Sequence, residues 1–196
     1  MVQASDKKYV DPKSLTCDEK GICWEQTGPA EAAMREAPRS VHTSSIFFNR
    51  GQRTWPLITR NQPVTSGAYW ASASPADATA SLAWTPPKLG FCVRAKNQYG
   101  ISVVAISYQF VVQTGGGSGD SARYITRLEI EANQVNVAFG WKVDMAVAIQ
   151  SPGEYGESGE PFAVLPVRFD VTVETEIKSL TDSKMHLILP SGIAVE

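Results

Sequence analysis

The stretch VNVAFGWKVDMAVAI (residues 135–149) carries a large apolar residue at every second position. Successive side chains of a β-strand point to opposite faces, so this strict alternation predicts a strand with one buried face and cannot form a helical stripe. Gly140 lies in the middle of the stretch and favours either one long strand or two strands joined at a kink. The apolar set is Val135, Val137, Phe139, Trp141, Val143, Met145, Val147 and Ile149.

The same alternation returns towards the end of the chain. Residues 165–177 predict a second long strand, with Leu165, Val167, Phe169, Val171, Val173 and Ile177 on its buried face. Residues 180–184 predict a polar turn, and Met185, Leu187 and Leu189 predict a shorter strand that leaves His186 on the exposed face. Residues 124–132 add a strand with Leu128 and Ile130 inward. The pattern therefore predicts a four-stranded antiparallel meander.

The first 113 residues are also rich in short predicted strands, at 41–49, 54–60, 68–73, 80–85, 90–97 and 101–113. One short helix is predicted at 29–37, because Pro29 suits a first helical turn and Pro38 ends it. Short strands separated by proline-rich turns are typical of an antiparallel β-sandwich. The predicted fold class is therefore all-β, an immunoglobulin-like or jelly-roll-like sandwich.

A local resemblance supports this fold class. The segment GFCVRAKNQYGIS (residues 90–102) resembles the penultimate strand and turn of fibronectin type III and immunoglobulin-like domains. The segment SLAWTPP (residues 81–87) resembles an early strand of the fibronectin type III family. Only Lys88 and Leu89 separate the two segments, whereas the family has several strands between them. The resemblance therefore implies an immunoglobulin-like hairpin and no family membership.

The segment TGGGSGDS (residues 114–121) has few side chains to bury and great backbone freedom. It predicts a linker or long loop, natural or engineered, between a β-rich unit at 1–113 and the meander at 122–196. One large β domain and two small subdomains both fit a chain of 196 residues.

Composition excludes several classes of protein. Hydrophobic residues make up 43% of the chain and charged residues 19%, which is enough apolar material for a folded core. The net charge of -2 is spread without a run of one sign, so we expect no nucleic-acid partner. No apolar stretch reaches the roughly 18 residues that a membrane-spanning helix needs.

Cysteines give a weak indication of the compartment. Cys17 and Cys23 flank a short polar turn and could form a hairpin disulfide, with two reduced thiols as the alternative. A disulfide would favour an oxidising, extracytoplasmic location: secreted, periplasmic, cell-surface or virion. We expect no metal site and no cofactor, because a structural zinc site needs four clustered ligands.

Catalysis has little support in the sequence. The chain holds two histidines, and no nucleophile or phosphate-binding motif lies in a suitable strand–turn–helix context. His42 stands close to the hydroxyls of Thr43 and Ser44, which leaves a small hydrolase as a minor alternative. We therefore predict a protein that is not an enzyme.

Aromatic residues in loop-like surroundings are the best candidates for binding. The predicted binding residues are Trp55, Tyr69 and Trp70, with Arg53 and Arg60 as a local basic patch. Core packing is the alternative for the aromatic residues, and solvent exposure without binding is the alternative for the arginines.

These observations predict a non-catalytic structural or attachment module that binds a protein partner or assembles with itself, with a glycan as a further partner. The main alternative is a pore-forming protein, in which residues 135–149 and 165–177 become a membrane-inserting hairpin.

Overall fold

The computed structural model describes residues 16–17, 21–27, 37–64, 67, 69–78, 83–84, 90–116, 122–156 and 160–195. Every regular element in these residues is a β-strand. The predicted helix at 29–37 lies outside the described residues except for Ala37, which is not helical. The described part of the chain contains no helix that is long and apolar enough to cross a membrane.

The strands form two antiparallel sheets. The order of the first sheet is β1-β2-β8-β9-β10-β6, with β7 also paired to β9, and the order of the second is β15-β14-β13-β11-β4-β5, with β12 joining β13 to β3. The bounds are β1 (Thr16–Cys17), β2 (Ile22–Thr27), β3 (His42–Thr43), β4 (Thr54–Thr59), β5 (Gln62–Pro63), β6 (Ala71–Ala73), β7 (Ala83–Trp84), β8 (Gly90–Lys96), β9 (Ser102–Gly115), β10 (Tyr124–Val137), β11 (Lys142–Ile149), β12 (Gly153–Tyr155), β13 (Phe162–Glu174), β14 (Ser179–Leu189) and β15 (Gly192–Val195).

The two sheets pack face to face on the apolar sides of their strands. Alternate residues of β9 and β13 are buried, as the period of a strand requires. Tyr108 of the first sheet and Phe169 of the second have ring centroids 4.8 Å apart. One hydrophobic cluster contains residues from both sheets, so the molecule has a main core between its two layers.

Both halves of the chain contribute strands to each sheet. In the first sheet, β6 pairs with β10, and in the second, β4 pairs with β11. The Gly/Ser run connects β9 to β10, which pair along most of their length from Tyr124↔Gly115 to Val137↔Val104. The division predicted at 114–121 therefore falls within a hairpin, and the independence of the two units stays a prediction.

The long alternating stretch at 135–149 is divided between the two sheets. β10 ends at Val137 in the first sheet, and β11 begins at Lys142 in the second. The bend includes Gly140, whose φ of 80° lies in the left-handed region that favours glycine. Of the two alternatives predicted for this stretch, one long strand or two strands joined near Gly140, the structure has the second. The predicted four-stranded meander is therefore wrong: β11, β13 and β14 are antiparallel neighbours in the second sheet, whereas β10 lies in the first.

Two predictions for the last hairpin are wrong. The turn lies at residues 175–178 rather than 180–184, because Thr175 N donates to Lys178 O and pairing already begins at Ser179↔Glu174. His186 is 1% exposed rather than on the outer face. Leu187 instead packs outside the main core, in a small cluster of Val164, Leu187, Leu189 and Ala194. The face of the strand that was predicted to be exposed therefore points into the main core, and the face that was predicted to point into it lies on the other side of the sheet.

The segment that resembles an immunoglobulin-like hairpin does form a hairpin. β8 and β9 pair from Gly90↔Gln109 to Lys96↔Ser102 around the turn at 97–101. Its apolar face, which includes Phe91 and Val93, is buried in the main core.

Candidate functional site

Four of the most exposed large apolar side chains lie on turns at one end of the molecule. The turns join β8 to β9, β10 to β11 and β13 to β14. They meet at one end because Val104 pairs with Val137 and Lys142 pairs with Glu174. We call the apolar residues on these turns, Tyr99, Ile101, Phe139 and Ile177, the turn-tip surface.

Asn97 holds the first turn in a defined conformation. Its side-chain oxygen accepts hydrogen bonds from the backbone N–H of Tyr99 and of Ile101, each at 3.0 Å. Its backbone N–H donates to Ile101 O at 2.9 Å, and Gly100 has a φ of 77°. Asparagine suits such turns because its side chain forms hydrogen bonds with the backbone of following residues, and glycine suits them because it adopts a positive φ without steric cost. The turn is fixed by polar groups, yet it displays the ring of Tyr99.

The second turn carries Phe139 at its corner. Trp141 N donates to Ala138 O at 3.1 Å and closes a four-residue turn, while Ala138 N donates to Val103 O at 2.8 Å. Gly140 takes the left-handed position. These backbone bonds do not involve the side chain of Phe139, whose relative exposure is 104%.

The third turn, between β13 and β14, also carries an exposed apolar side chain, that of Ile177. Thr175 Oγ1 accepts from the backbone N–H of Lys178 at 3.1 Å, and Thr175 N donates to Lys178 O at 2.7 Å. Ile177 is 97% exposed between two charged neighbours, Glu176 and Lys178. Folding thus gains little from an apolar side chain at this position.

The concentration of these residues distinguishes them from ordinary exposed apolar residues. Scattered exposed apolar residues are normal, whereas a group at one site marks an interaction surface. The turn-tip residues are 61–104% exposed, and the other exposed large apolar residues of the described chain, Val41, Ile46 and Phe48, are 39–47% exposed. Those three belong to one segment next to β3.

A cleft of about 530 Å³ lies between the turns. Its wall includes Trp141 and Leu180, which also pack against the main core. Lys96 and Lys178 line the same cleft together with Tyr99. The cleft therefore combines an apolar wall with two exposed cations.

Cations slightly outnumber carboxylates at this end of the molecule. Among the residues that the structure describes around these turns and the β4–β5 turn, four exposed cations accompany three carboxylates: Glu176 is exposed, and Glu174 and Asp144 are half-buried. The cations are Arg60, Lys96, Lys142 and Lys178. The local balance is opposite in sign to the net charge of -2 of the whole chain.

The five predicted binding residues do not form one site. Trp55 is 4% exposed in the main core and stacks on Tyr69 with centroids 6.1 Å apart. Trp70 is half-buried beneath the guanidinium of Arg127, 5.6 Å from the ring centroid. A binding role for these aromatic residues stays a prediction, but the ring of Trp55 is not displayed.

The two predicted arginines lie at opposite ends of β4. Arg53 is exposed and lines a cavity of about 230 Å³ at the end away from the turn-tip surface. Arg60 lies in the β4–β5 turn with a φ of 47°, and its backbone N–H donates to Asp144 at 2.8 Å. Arg60 is thus the one predicted binding residue at the same end as the turn-tip surface.

The residues around His42 have structural partners. His42 is exposed on β3 and pairs with Glu154 of β12. Ser44 Oγ donates to Glu154 at 2.8 Å and accepts the backbone N–H groups of Ile46 and Phe47. These bonds use the hydroxyl to hold a turn, so they give no support to a nucleophilic Ser44. The hydrolase hypothesis stays a prediction.

The strongly perturbed titratable groups lie in the core. Burial, together with a smaller effect of the nearby charge of Lys184, lowers the pKa of His186 from 6.5 to about 3. Burial also raises the pKa of Tyr108 well above its ordinary value and raises that of the Cys92 thiol. Because His186 and Tyr108 lie between the sheets, their shifts point to packing rather than to a reaction. Within the described residues, no three His, Cys, Asp or Glu side chains are grouped to hold a metal ion.

The cysteines fall into two environments. Cys23 is disulfide-bonded, and the backbone register places Cys17 opposite it on β1. Cys92 is a buried free thiol. The Cys17–Cys23 bridge stays a prediction, which the register of β1 and β2 supports.

Comparisons with known proteins give no relative: no family model, no curated protein and no solved structure matches the chain.

Proposed function

We propose that this chain is a non-catalytic attachment module that binds its target through the turn-tip surface. The observation that carries the proposal is the display of Tyr99, Ile101, Phe139 and Ile177 on neighbouring turns at one end. Hydrogen bonds that the side chains of Asn97 and Thr175 accept from backbone N–H groups already fix two of these turns. A rigid, preformed surface loses little conformational entropy on binding, which favours an attachment role.

The free energy gained by burying these apolar side chains supports the proposal. Full burial of one large apolar side chain contributes about 1.5–3 kcal/mol. Phe139 and Ile177 are almost fully exposed, so a target that covers both gains nearly all of this contribution for each. The same exposure gives folding no benefit, which is why we assign these side chains to binding.

The compartment and the finer fold are also proposals. We infer an extracytoplasmic location, which the disulfide at Cys23 supports because such bonds persist in oxidising compartments. We infer that the packed sheets form a sandwich of the immunoglobulin-like or jelly-roll-like kind. The hairpin of β8 and β9 supports this inference.

The pore-forming alternative has less support than the attachment role. The apolar faces of β11 and β13 are used in the main core, where Val143, Val147 and Phe169 are 0% exposed. Insertion of these strands into a bilayer would require the two sheets to separate. The turn-tip surface needs no such rearrangement.

Paired variants test the attachment role. The tip variant, Phe139→Ser with Ile177→Ser, removes two displayed side chains, and the control variant, Ile46→Ser with Phe48→Ser, removes two partly exposed apolar side chains away from the turns. Self-association is measured by sedimentation velocity, and binding to lipid vesicles by co-sedimentation. We expect wild type and the control variant to bind in at least one assay and the tip variant to lose that binding. The absence of tip-dependent binding in both assays would overturn the proposal.

A further inference from the structure

We propose that the target of the turn-tip surface is a bilayer that contains anionic phospholipid. This inference rests on the attachment role and identifies the partner by its chemistry. It follows from the shape of the surface, from its charge and from the cleft between the turns.

The shape of the turn-tip surface suits a lipid interface. Phe139 lies at the corner of one turn, between Ala138 and Gly140, and Ile177 lies at the corner of another, between Glu176 and Lys178, so the two side chains project separately. A protein partner would need a separate pocket for each projecting side chain. The boundary between lipid headgroups and acyl chains accepts such side chains wherever they enter, at a depth of roughly 5–10 Å.

The charge of this end suits an anionic membrane. Lys96, Lys142, Lys178 and Arg60 are exposed there, and the described carboxylates beside them are those of Glu176, Glu174 and Asp144, of which the last two are half-buried. Basic residues close to a bilayer are attracted by the negative surface potential of anionic lipids. The excess of cations is local, since the whole chain has a net charge of -2. The end that carries the apolar tips therefore has a small local excess of positive charge, and its cations are more exposed than two of its three carboxylates.

The same charge disfavours a second copy of the chain as the partner. In a symmetric end-to-end dimer, the identical patches of the two copies meet each other. The lysines of one turn-tip end would then face the lysines of the other, and like charges repel. An anionic bilayer provides the opposite sign.

The cleft offers a place for one phosphate headgroup. Lys96 and Lys178 line it and can approach the phosphate oxygens, while Trp141 and Leu180 form the apolar wall beneath. Tyr99 stands at the edge of the cleft, and its ring combines an apolar body with a polar hydroxyl, as favoured at membrane interfaces. The headgroup and the inserted side chains would thus be bound by one end of the molecule.

Co-sedimentation of the full chain with two kinds of vesicle tests this inference. One kind contains phosphatidylcholine alone, and the other contains phosphatidylcholine with phosphatidylserine. The tip variant is compared with the control variant, and the charge variant Lys96→Glu with Lys178→Glu is compared with Arg39→Glu with Arg168→Glu, which reverses two exposed cations outside the turns. Thermal unfolding of each variant checks that it is folded.

We expect wild type to bind phosphatidylserine vesicles more tightly than phosphatidylcholine vesicles, and to lose affinity as salt is added. The tip variant and the charge variant should each bind the anionic vesicles at least about tenfold more weakly, a change of about 1.4 kcal/mol. Both matched controls should bind like wild type.

Three results would overturn the inference: no binding to anionic vesicles, equal binding by the tip and control variants, or release of a trapped dye on binding, since shallow docking leaves the bilayer closed. Tip-dependent self-association without vesicle binding would overturn the lipid assignment and leave the attachment role in place. If the tip variant behaves like the control variant in both the self-association assay and the vesicle assay, the lipid assignment and the attachment role are both overturned.

Discussion

Tyr108 Oη lies 3.2 Å from His186 Nε2, and this hydrogen bond joins the two sheets inside the core. Tyr108 belongs to β9 of the first sheet and His186 to β14 of the second. Their rings are packed among Phe91 and Phe169, whose centroids lie 4.6 Å and 5.0 Å from that of His186. The Tyr108 hydroxyl and His186 Nε2 therefore satisfy each other where water is excluded, whereas His186 Nδ1 is buried without a hydrogen-bond partner among the described residues.

Removal of the Tyr108 hydroxyl is expected to destabilise the fold. In Tyr108→Phe the Nε2 atom of His186 loses this partner, and a buried polar atom left without one costs about 1–3 kcal/mol. Urea unfolding measures the change in the free energy of unfolding. Tyr99→Phe makes the same chemical change on an exposed turn and should alter that free energy by less than about 0.5 kcal/mol. Equal effects of the two substitutions would contradict the role of the Tyr108–His186 bond.

Acid is expected to destabilise the protein through His186. Its pKa is about 3 in the folded protein and near 6.5 when the chain is unfolded, so between these values the unfolded state binds a proton that the folded state does not. The contribution of His186 to stability is therefore intact above pH 6.5 and falls as the pH decreases towards 3. The loss is at most about 1.4 kcal/mol per pH unit.

Urea unfolding at a series of pH values measures this dependence. His186→Gln should show a shallower decline of the free energy of unfolding than wild type over the same pH range. His42→Gln removes an exposed imidazole and should retain the wild-type slope. Parallel curves for wild type and His186→Gln would show that His186 is not the group responsible.

The two sides of the Gly/Ser run are expected to depend on each other for folding. A fragment of residues 1–113 lacks β11, the partner of β4, and a fragment of residues 122–196 lacks β9, the partner of β10. Each fragment alone should therefore give the narrow amide dispersion of an unfolded chain in NMR spectra. A dispersed spectrum from either fragment would show that the predicted two-unit division is correct.

Alkylation tests the Cys17–Cys23 bridge. Denatured, unreduced protein should take up one alkyl group, at Cys92, and reduced protein should take up three. Because the bridge closes a short loop, Cys17→Ser with Cys23→Ser should lower the free energy of unfolding by about 2 kcal/mol. Uptake of three groups before reduction would mean that the thiols are free.

The strands could be predicted from sequence because burial on one face imposes a period of two. The alternation of residues 165–173 corresponds to β13, whose apolar positions are buried in the structure. The same rule failed at residues 185–189, where β14 is apolar on both faces. His186 enters the main core, while Leu187 packs in the second cluster. Alternation alone cannot decide which of two buried faces meets which cluster.

The turn-tip surface could not be predicted as long as the alternation of buried and exposed positions was extended across two turns. Phe139 and Ile177 fit the buried register of residues 135–149 and 165–177, yet both are almost fully exposed. Signals for the turns were present: Gly140 follows Phe139, and Ile177 stands between Glu176 and Lys178. The meeting of three turns at one end depends on strand pairing between distant segments, which sequence periodicity does not specify.

The most direct test of the turn-tip surface is the environment of a probe placed on it. An environment-sensitive fluorophore is attached to a cysteine at position 139 or, as a control, at position 48, each in a Cys92→Ala background. Emission is recorded with and without vesicles that contain phosphatidylserine. We predict a blue shift at position 139 and an unchanged spectrum at position 48. An unchanged spectrum at position 139, or an equal blue shift at both positions, would contradict the account.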